Sequence, residues 1–135
     1  MTREEILALE GLELRKAVAE ARGYTVRESY GNFLLYAPDG RVVFLAIAKT
    51  AEGAWRFTPD YPVNDYAAMS LLKVMRDSCR IEGDEVSVVL TLYSDGSYRV
   101  SVGRMSFDPG EVVVCGDELQ PTICRAYLLA KAVQP

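Results

Sequence analysis

Apolar and polar positions in residues 2–23 follow the period of an α-helix. Thr2 and Glu5 have the spacing of a capping box, in which each side chain accepts a hydrogen bond from the backbone amide of the other residue. Gly23 favours the left-handed end of a helix. Apolar residues recur at Leu7, Leu14, Val18 and Ala21, and charged residues cover the other faces at Glu10, Glu13, Arg15, Lys16 and Glu20. The pattern predicts a first helix with a solvated outer surface.

The following segments have the composition of β-strands. Residues 24–29 are a short β-rich piece, and residues 31–48, GNFLLYAPDGRVVFLAIA, predict a hairpin with a three-residue loop at Pro38-Asp39-Gly40. That loop pairs Ala37 with Arg41, Leu35 with Val43 and Phe33 with Leu45. The second strand is apolar on both faces, so we expect it to lie centrally in its sheet.

A second helix is predicted from about Asp65 to Cys79, after the polar link KTAEGA and the aromatic stretch WRFTPDYPVND. Asn64 or Asp65 is expected to be its N-cap, and Asp60 to close a turn between two prolines. Its polar stripe is narrow and consists of Ser70, Lys73 and Asp77. A helix with so wide an apolar surface should be covered on more than one side.

A second hairpin follows in EVSVVLTLYSDGSYRVSVGRM, and its register can be decided from the two faces. A three-residue loop, Ser94-Asp95-Gly96, sets Leu92, Leu90 and Val88 against Tyr98, Val100 and Val102. The opposite face then carries Tyr93, Thr91 and Val89 beside Ser97, Arg99 and Ser101. We expect helices on one face only, with the polar face left open.

The chain then turns at Asp108-Pro109-Gly110, forms a strand in EVVVCG and ends in a helix from Pro121 onwards. This last helix is so apolar that it should dock on the sheet or on another subunit, and it predicts self-association as a dimer or larger homo-oligomer. The element order is α-βββ-α-βββ-α. It predicts one α+β domain over residues 1–135, with helices layered on a mainly antiparallel sheet as an α/β/α sandwich. Whether the two hairpins share one sheet is left open.

Composition excludes several classes of function. The chain has no histidine, which removes Ser-His-Asp, Cys-His and His-containing zinc sites together. Its net charge of −4 and lack of a basic run disfavour nucleic-acid binding. Three widely spaced cysteines favour a reducing compartment over a disulfide framework. We expect neither a signal peptide nor a membrane span, and therefore a cytoplasmic protein.

Three segments resemble the phage ABA-sandwich domain family. They are MTREEILALEGLELRKAVAE, FTPDYPVNDYAAMSLLKVMR and LQPTICRAYLLAKA, in the order found in the family. In the middle segment the matching residues are Pro59, Tyr61, Asp65, Ala67 and Ala68. In the last they are Pro121, Ile123, Cys124, Arg125, Ala126, Leu128, Leu129 and Ala130. The resemblance implies a phage origin and helix–sheet–helix layering, and it implies no reaction.

Candidate chemistry has two interpretations at each position. Asp60 and Asp65 have the chemistry of an acid–base pair or a cation site, and equally of a turn and a helix cap. Cys115 or Cys124 is either a nucleophile or a small buried apolar residue. No nucleophile, base or metal set can be assembled, so we expect no enzyme, no cofactor and no metal.

Aromatic and arginine side chains are the remaining candidates for a ligand site. Aromatic rings stack on bases and arginine binds phosphate, although the same residues also cover core edges. The candidate ligand-binding residues are Trp55, Arg56, Tyr61, Tyr66, Tyr93, Arg99 and Arg104. Together with the resemblance to phage proteins and the lack of catalytic groups, they predict a non-enzymatic phage accessory protein that sequesters a nucleotide-type immune signal. The alternative is a protein-binding module that uses the apolar last helix or a sheet edge.

Overall fold

A computed structural model describes residues 1–104 and 112–134. Its helices are α1 (Arg3–Ala8), α2 (Gly11–Arg22), α3 (Ala51–Trp55), α4 (Asp65–Ser78) and α5 (Leu119–Ala132). Its strands are β1 (Thr25–Ser29), β2 (Asn32–Tyr36), β3 (Val42–Ala48), β4 (Arg80–Ile81), β5 (Asp84–Leu92), β6 (Tyr98–Arg104) and β7 (Val112–Gly116). The turn predicted at 108–110 lies outside the described residues.

The predicted first helix is broken into α1 and α2. Its capping box is confirmed, with Thr2 Oγ1 accepting from the Glu5 amide at 3.1 Å and Glu5 accepting in return at 3.0 Å. The prediction of one helix is wrong because the chain becomes extended at Leu9 and restarts at Gly11, whose φ of +54° suits a glycine. Arg125 of α5 donates to the Leu9 carbonyl at 2.9 Å, which fixes the break against the last helix.

The first sheet has the strand order β1-β2-β3 and is antiparallel. The three-residue loop is confirmed, since the Ala37 amide donates to the Arg41 carbonyl at 2.8 Å. The predicted pairing of Phe33 with Leu45 is wrong: the register shifts within β2, and Phe33 pairs with Ala48. The central position predicted for β3 is also wrong, because β1 pairs with the other side of β2 and leaves β3 at the edge.

The link before the second predicted helix contains the short helix α3, which the sequence reading missed. Thr50 caps α3 by accepting from the Gly53 amide at 3.0 Å. Asn64 caps α4 by accepting from the Ala67 amide at 2.9 Å, which confirms the predicted cap. The wide apolar surface of α4 is covered only in part. It contacts α5 and β5, whereas Tyr66 is 87% and Met69 44% exposed.

The second sheet has the order β4-β5-β6-β7, so the two hairpins lie in separate sheets. The predicted register is confirmed, with Leu90 opposite Val100 and Thr91 opposite Arg99. Helices α4 and α5 contact this sheet, and its inward residues are buried at Val86, Val100, Val102, Val112 and Val114. The opposite face carries exposed side chains at Val89, Tyr93 and Cys115, as expected for a sheet covered on one face.

Helix α5 lies at the centre of the fold. Eight of its residues are buried, and it contacts α1, α2, α4, β6 and β7. The predicted docking on the sheet is therefore confirmed, although the helix begins at Leu119, two residues before Pro121. Its apolar surface is covered within the chain, which leaves the predicted self-association without the surface that suggested it. Self-association stays a prediction.

The predicted α+β class is confirmed, with helices packed on two antiparallel sheets. The order differs from the prediction mainly by the added two-residue strand β4 and by α3. Within residues 1–104 and 112–134, no helix is long and apolar enough to cross a membrane.

Candidate functional site

The aromatic stretch after α3 is held against α2. Trp55 is only 7% exposed, and the Lys16 ammonium lies 5.5 Å from the centre of its ring, a cation–π contact. Arg56, the next residue, points to solvent and forms an exposed ion pair with Glu52 at 3.7 Å. The two adjacent candidates therefore face different surroundings, and one face of the Trp55 ring is already occupied by a cation of this chain.

Arg15 fastens the same stretch and was wrongly assigned by sequence to the solvated face of the helix. Its guanidinium donates to the hydroxyl and the carbonyl of Thr58 and to the carbonyl of Arg56, and it lies 3.5 Å from an Asp60 carboxylate oxygen. Its side chain is 16% exposed. No local signal announces this role, since its partners lie more than 40 residues away along the chain. Asp60 therefore has two structural roles: its carbonyl closes the turn, and its carboxylate pairs with Arg15.

Tyr61 lies in the core, 5% exposed. Burial raises the pKa of its phenol to about 12, and Arg22 partly opposes this shift. Burial also raises the pKa of Tyr127, whose hydroxyl is near the same arginine. The phenol of Tyr61 is thus a buried polar group that remains neutral in the core, near Tyr24, Arg22 and Tyr127. Its ring presents almost no surface on which a base could stack.

The other four candidate residues are spread over the surface. Tyr66 is 87% exposed in the first turn of α4. Tyr93 and Arg99 lie on the open face of the second sheet, where Arg99 is opposite Thr91 and Cys115. Arg104 forms an ion pair with Glu82 at 2.9 Å. The seven candidate residues therefore do not line one common pocket.

A cleft of about 490 Å³ lies between α2, the first sheet and α3. Its aromatic and charged lining consists of Lys16, Glu20, Tyr24, Glu28, Phe33 and Trp55. A neighbouring groove of about 320 Å³ shares Lys16 and Trp55 and adds Glu13 and Glu52. Arg56 lines a different groove, of about 180 Å³. Trp55 and Arg56 thus line different grooves. In both grooves that Trp55 lines, Lys16 is outnumbered by acidic side chains.

Three of the four carboxylate and thiol candidates are engaged or buried, and the fourth, Cys115, is exposed. Asp65 accepts a hydrogen bond from the Gln120 side chain, and Asp60 pairs with Arg15. Cys124 is fully buried in α5, where burial raises the pKa of its thiol to about 12. Cys115 is exposed on β7. In the part of the chain that the structure describes, no three acidic or cysteine side chains are grouped as a metal site requires.

The sequence indicates a sheet edge as a possible binding surface but favours a central β3, so it did not predict that the free edge belongs to β3. All seven residues, VVFLAIA, are uncharged, and Val42 and Ile47 are 51% and 57% exposed. No strand within residues 1–104 and 112–134 pairs with its outer side. Two other outer strands are less available, because β1 carries Arg27 and Glu28, and Arg3 donates to the Val113 carbonyl of β7 at 3.0 Å. Residues 86–92 of β5 are a second open stretch among the described strands, since β4 pairs only with Asp84 and Glu85.

No family model, curated protein or solved structure matches this chain. Its resemblance to the phage ABA-sandwich domain stays a prediction, as does a phage origin.

Proposed function

We propose that this protein is a non-enzymatic binding module that takes an extended segment of a partner protein onto the free edge of β3. The observation that supports the proposal is an uncharged, seven-residue edge strand with two half-exposed apolar side chains. A free strand edge presents unpaired amides and carbonyls and is a template for a further strand. Recognition by strand addition uses those main-chain groups for affinity and the alternating side chains for specificity.

The energies involved suit reversible binding. Alternate residues of a strand direct their main-chain groups to the free side, so roughly three or four residues of β3 are available to a partner. Each hydrogen bond formed contributes a net of about 0.5–1.5 kcal/mol. Covering the remaining exposed surface of Val42 and Ile47 adds roughly 1 kcal/mol each. Part of this total offsets the entropy lost on association, which leaves a module of moderate affinity.

Charge makes the alternative, sequestration of a nucleotide, less well supported by the geometry. The cleft between α2, the first sheet and α3 places Glu20 and Glu28 beside its single lysine, and Lys16 already pairs with Glu20 at 3.7 Å. A phosphate group entering this cleft would meet more negative than positive charge. Sequestration of a cyclic dinucleotide or an ADP-ribose derivative stays a prediction. A thermal-shift panel of these compounds tests it, since a ligand at 100 times its Kd stabilises the fold by about 2.7 kcal/mol.

The direct test is selection of peptides from a random library on the immobilised protein, followed by hydrogen exchange of the complex. The proposal predicts that selected peptides slow amide exchange within 42–48 more than elsewhere. Ile47→Asp should weaken their binding at least tenfold, since it introduces a charge at the edge. Val89→Asp tests the other open edge, because Val89 is 50% exposed on β5, whose outer side pairs with β4 only at Asp84 and Glu85.

Ile47→Thr provides a milder variant if the aspartate disturbs folding. It keeps a β-branched side chain and removes part of the apolar surface, so it should weaken binding less than Ile47→Asp. Equal loss in the Val89 and Ile47 variants, or protection confined to the Trp55 cleft, would contradict the assignment of the site to β3.

A further inference from the structure

We infer that the segment accepted by β3 is apolar in the middle and acidic at its ends, and that a second copy of this chain is not accepted there. This inference rests on the proposed function. Arg41 immediately precedes β3 and Lys49 immediately follows it, and both side chains are exposed. The edge is therefore a neutral strand with a cation at each end, which is complementary to an extended segment with opposite charges at its ends.

The two ends differ in strength. Arg41 has Asp39 at 3.9 Å, an exposed ion pair that offsets part of its charge. Lys49 donates to the neutral Asn32 side chain at 2.9 Å, a contact that brings no negative charge to it. An acidic residue of the partner should therefore contribute more opposite Lys49 than opposite Arg41. In an antiparallel complex, the residue opposite Lys49 belongs to the N-terminal end of the partner segment.

The same two cations oppose pairing of β3 with itself. An antiparallel pair of β3 strands centred on Leu45 places Arg41 of one copy opposite Lys49 of the other, at both ends of the ladder. Like charges directly opposite each other destabilise a strand pair. A parallel pair brings Arg41 close to its own copy and Lys49 likewise. Either arrangement juxtaposes cations, so the edge discriminates against self-addition while remaining open to an acidic partner.

Charge exchange at these two positions tests the self-pairing argument in the full chain. Lys49→Glu makes the antiparallel pair self-complementary, with Arg41 opposite the new glutamate, so this variant should dimerise more strongly than wild type. Arg41→Glu should do the same, whereas the double variant restores like charges and should associate as weakly as wild type. Sedimentation velocity across about 5–200 µM measures the self-association of wild type and the three variants. The differences between them should shrink at high salt, because salt screens exposed charges.

Two outcomes of this cycle would overturn the inference about a second copy. One is equal association of wild type and both single variants. The other is a dimer of Lys49→Glu that survives Ile47→Asp, since that dimer would not use β3.

The partner class is tested with three fluorescent peptides that share an alternating valine–threonine core. One carries two aspartates at each end, the second carries lysines there, and the third is the acidic peptide with N-methylated core amides. The acidic peptide should bind at least tenfold more tightly than the lysine peptide at low salt, and N-methylation should abolish binding. Lys49→Gln should reduce the preference for acidic ends more than Arg41→Gln does.

The outcomes separate this inference from the function on which it rests. Equal binding of the acidic and lysine peptides, with slowed exchange in 42–48, would retain strand addition and overturn the charge assignment. Absence of slowed exchange in 42–48 with every peptide, including those selected from the library, would overturn both.

Discussion

Replacement of Arg15 by methionine should destabilise the protein strongly, because this residue holds the segment after α3 against α2. Its guanidinium makes three hydrogen bonds to Arg56 and Thr58 and an ion pair with Asp60. Thr58 is 3% exposed, so its carbonyl has little access to water once the arginine is gone. Methionine keeps most of the apolar length of the side chain and removes all of its donors.

The expected loss in the free energy of unfolding is about 3 kcal/mol. A hydrogen bond to a charged donor contributes about 1.5–3 kcal/mol, and loss of the donor leaves a buried acceptor unpaired. The three bonds do not add fully, because the Arg56 carbonyl lies beside an exposed side chain and can be hydrated. The Asp60 ion pair adds less than about 1 kcal/mol, since the carboxylate is 42% exposed. The corresponding fall in Tm is about 10 °C for a chain of this size.

Urea unfolding followed by circular dichroism measures this loss, with two matched controls. Asp60→Asn removes only the ion pair and should cost under about 1 kcal/mol. Arg56→Ala removes an exposed side chain but keeps the carbonyl that Arg15 contacts, so it should change stability little. If Arg15→Met costs no more than Asp60→Asn, the hydrogen bonds to Thr58 do not hold this segment.

Three further predictions concern groups buried against or near α5. Ellman's reagent should label Cys115 rapidly and Cys124 only on unfolding, because the first is exposed and the second is buried with a raised pKa. Since the pKa of Tyr61 rises from 10.0 to about 12 on folding, stability should fall as pH rises between these values, and Tyr61→Phe should make that fall shallower in pH-dependent urea titrations. A Cβ at Gly116 would lie 2.4 Å from Thr122 Oγ1, so Gly116→Ala should cost about 1–3 kcal/mol in thermal unfolding, and adding Thr122→Ala should recover part of it.

Features set by neighbouring residues could be predicted from the sequence. The capping box at Thr2, the cap at Asn64 and both three-residue hairpin loops depend on side chains and turns within a few positions of one another. The register of β5 and β6 was also predictable, because only one pairing sorts apolar and polar residues onto separate faces. The α+β class follows from the order of such local elements.

Features set by distant residues could not be predicted in this way. An apolar strand suggests a central position, but β3 is central only if β1 pairs with it, and β1 pairs with β2 instead. The break at Leu9 is fixed by Arg125, which lies 116 residues away. Trp55 and Tyr61 were candidates for stacking because aromatic residues suit both ligand sites and cores, and the sequence contains no measure of burial.

The contrast between residues 55–64 and β3 suggests where function lies in this fold. The first segment is chemically rich, but its polar groups are largely engaged with one another: Thr58 donates to the Trp55 carbonyl, and the Asp60 carbonyl accepts from the Val63 and Asn64 amides. Strand β3 has no reactive side chain, yet no described strand pairs with its outer side. An unpaired edge is a liability that folded proteins usually block with charge or cover. Residues 86–92 of β5 are open in the same way among the described strands, but the charged Asp84 and Glu85 and the short strand β4 border them at one end. Because β3 has neither a charge within it nor a described strand beyond it, and a cation at each end, binding of a partner segment is a simple physical reason for leaving this edge open.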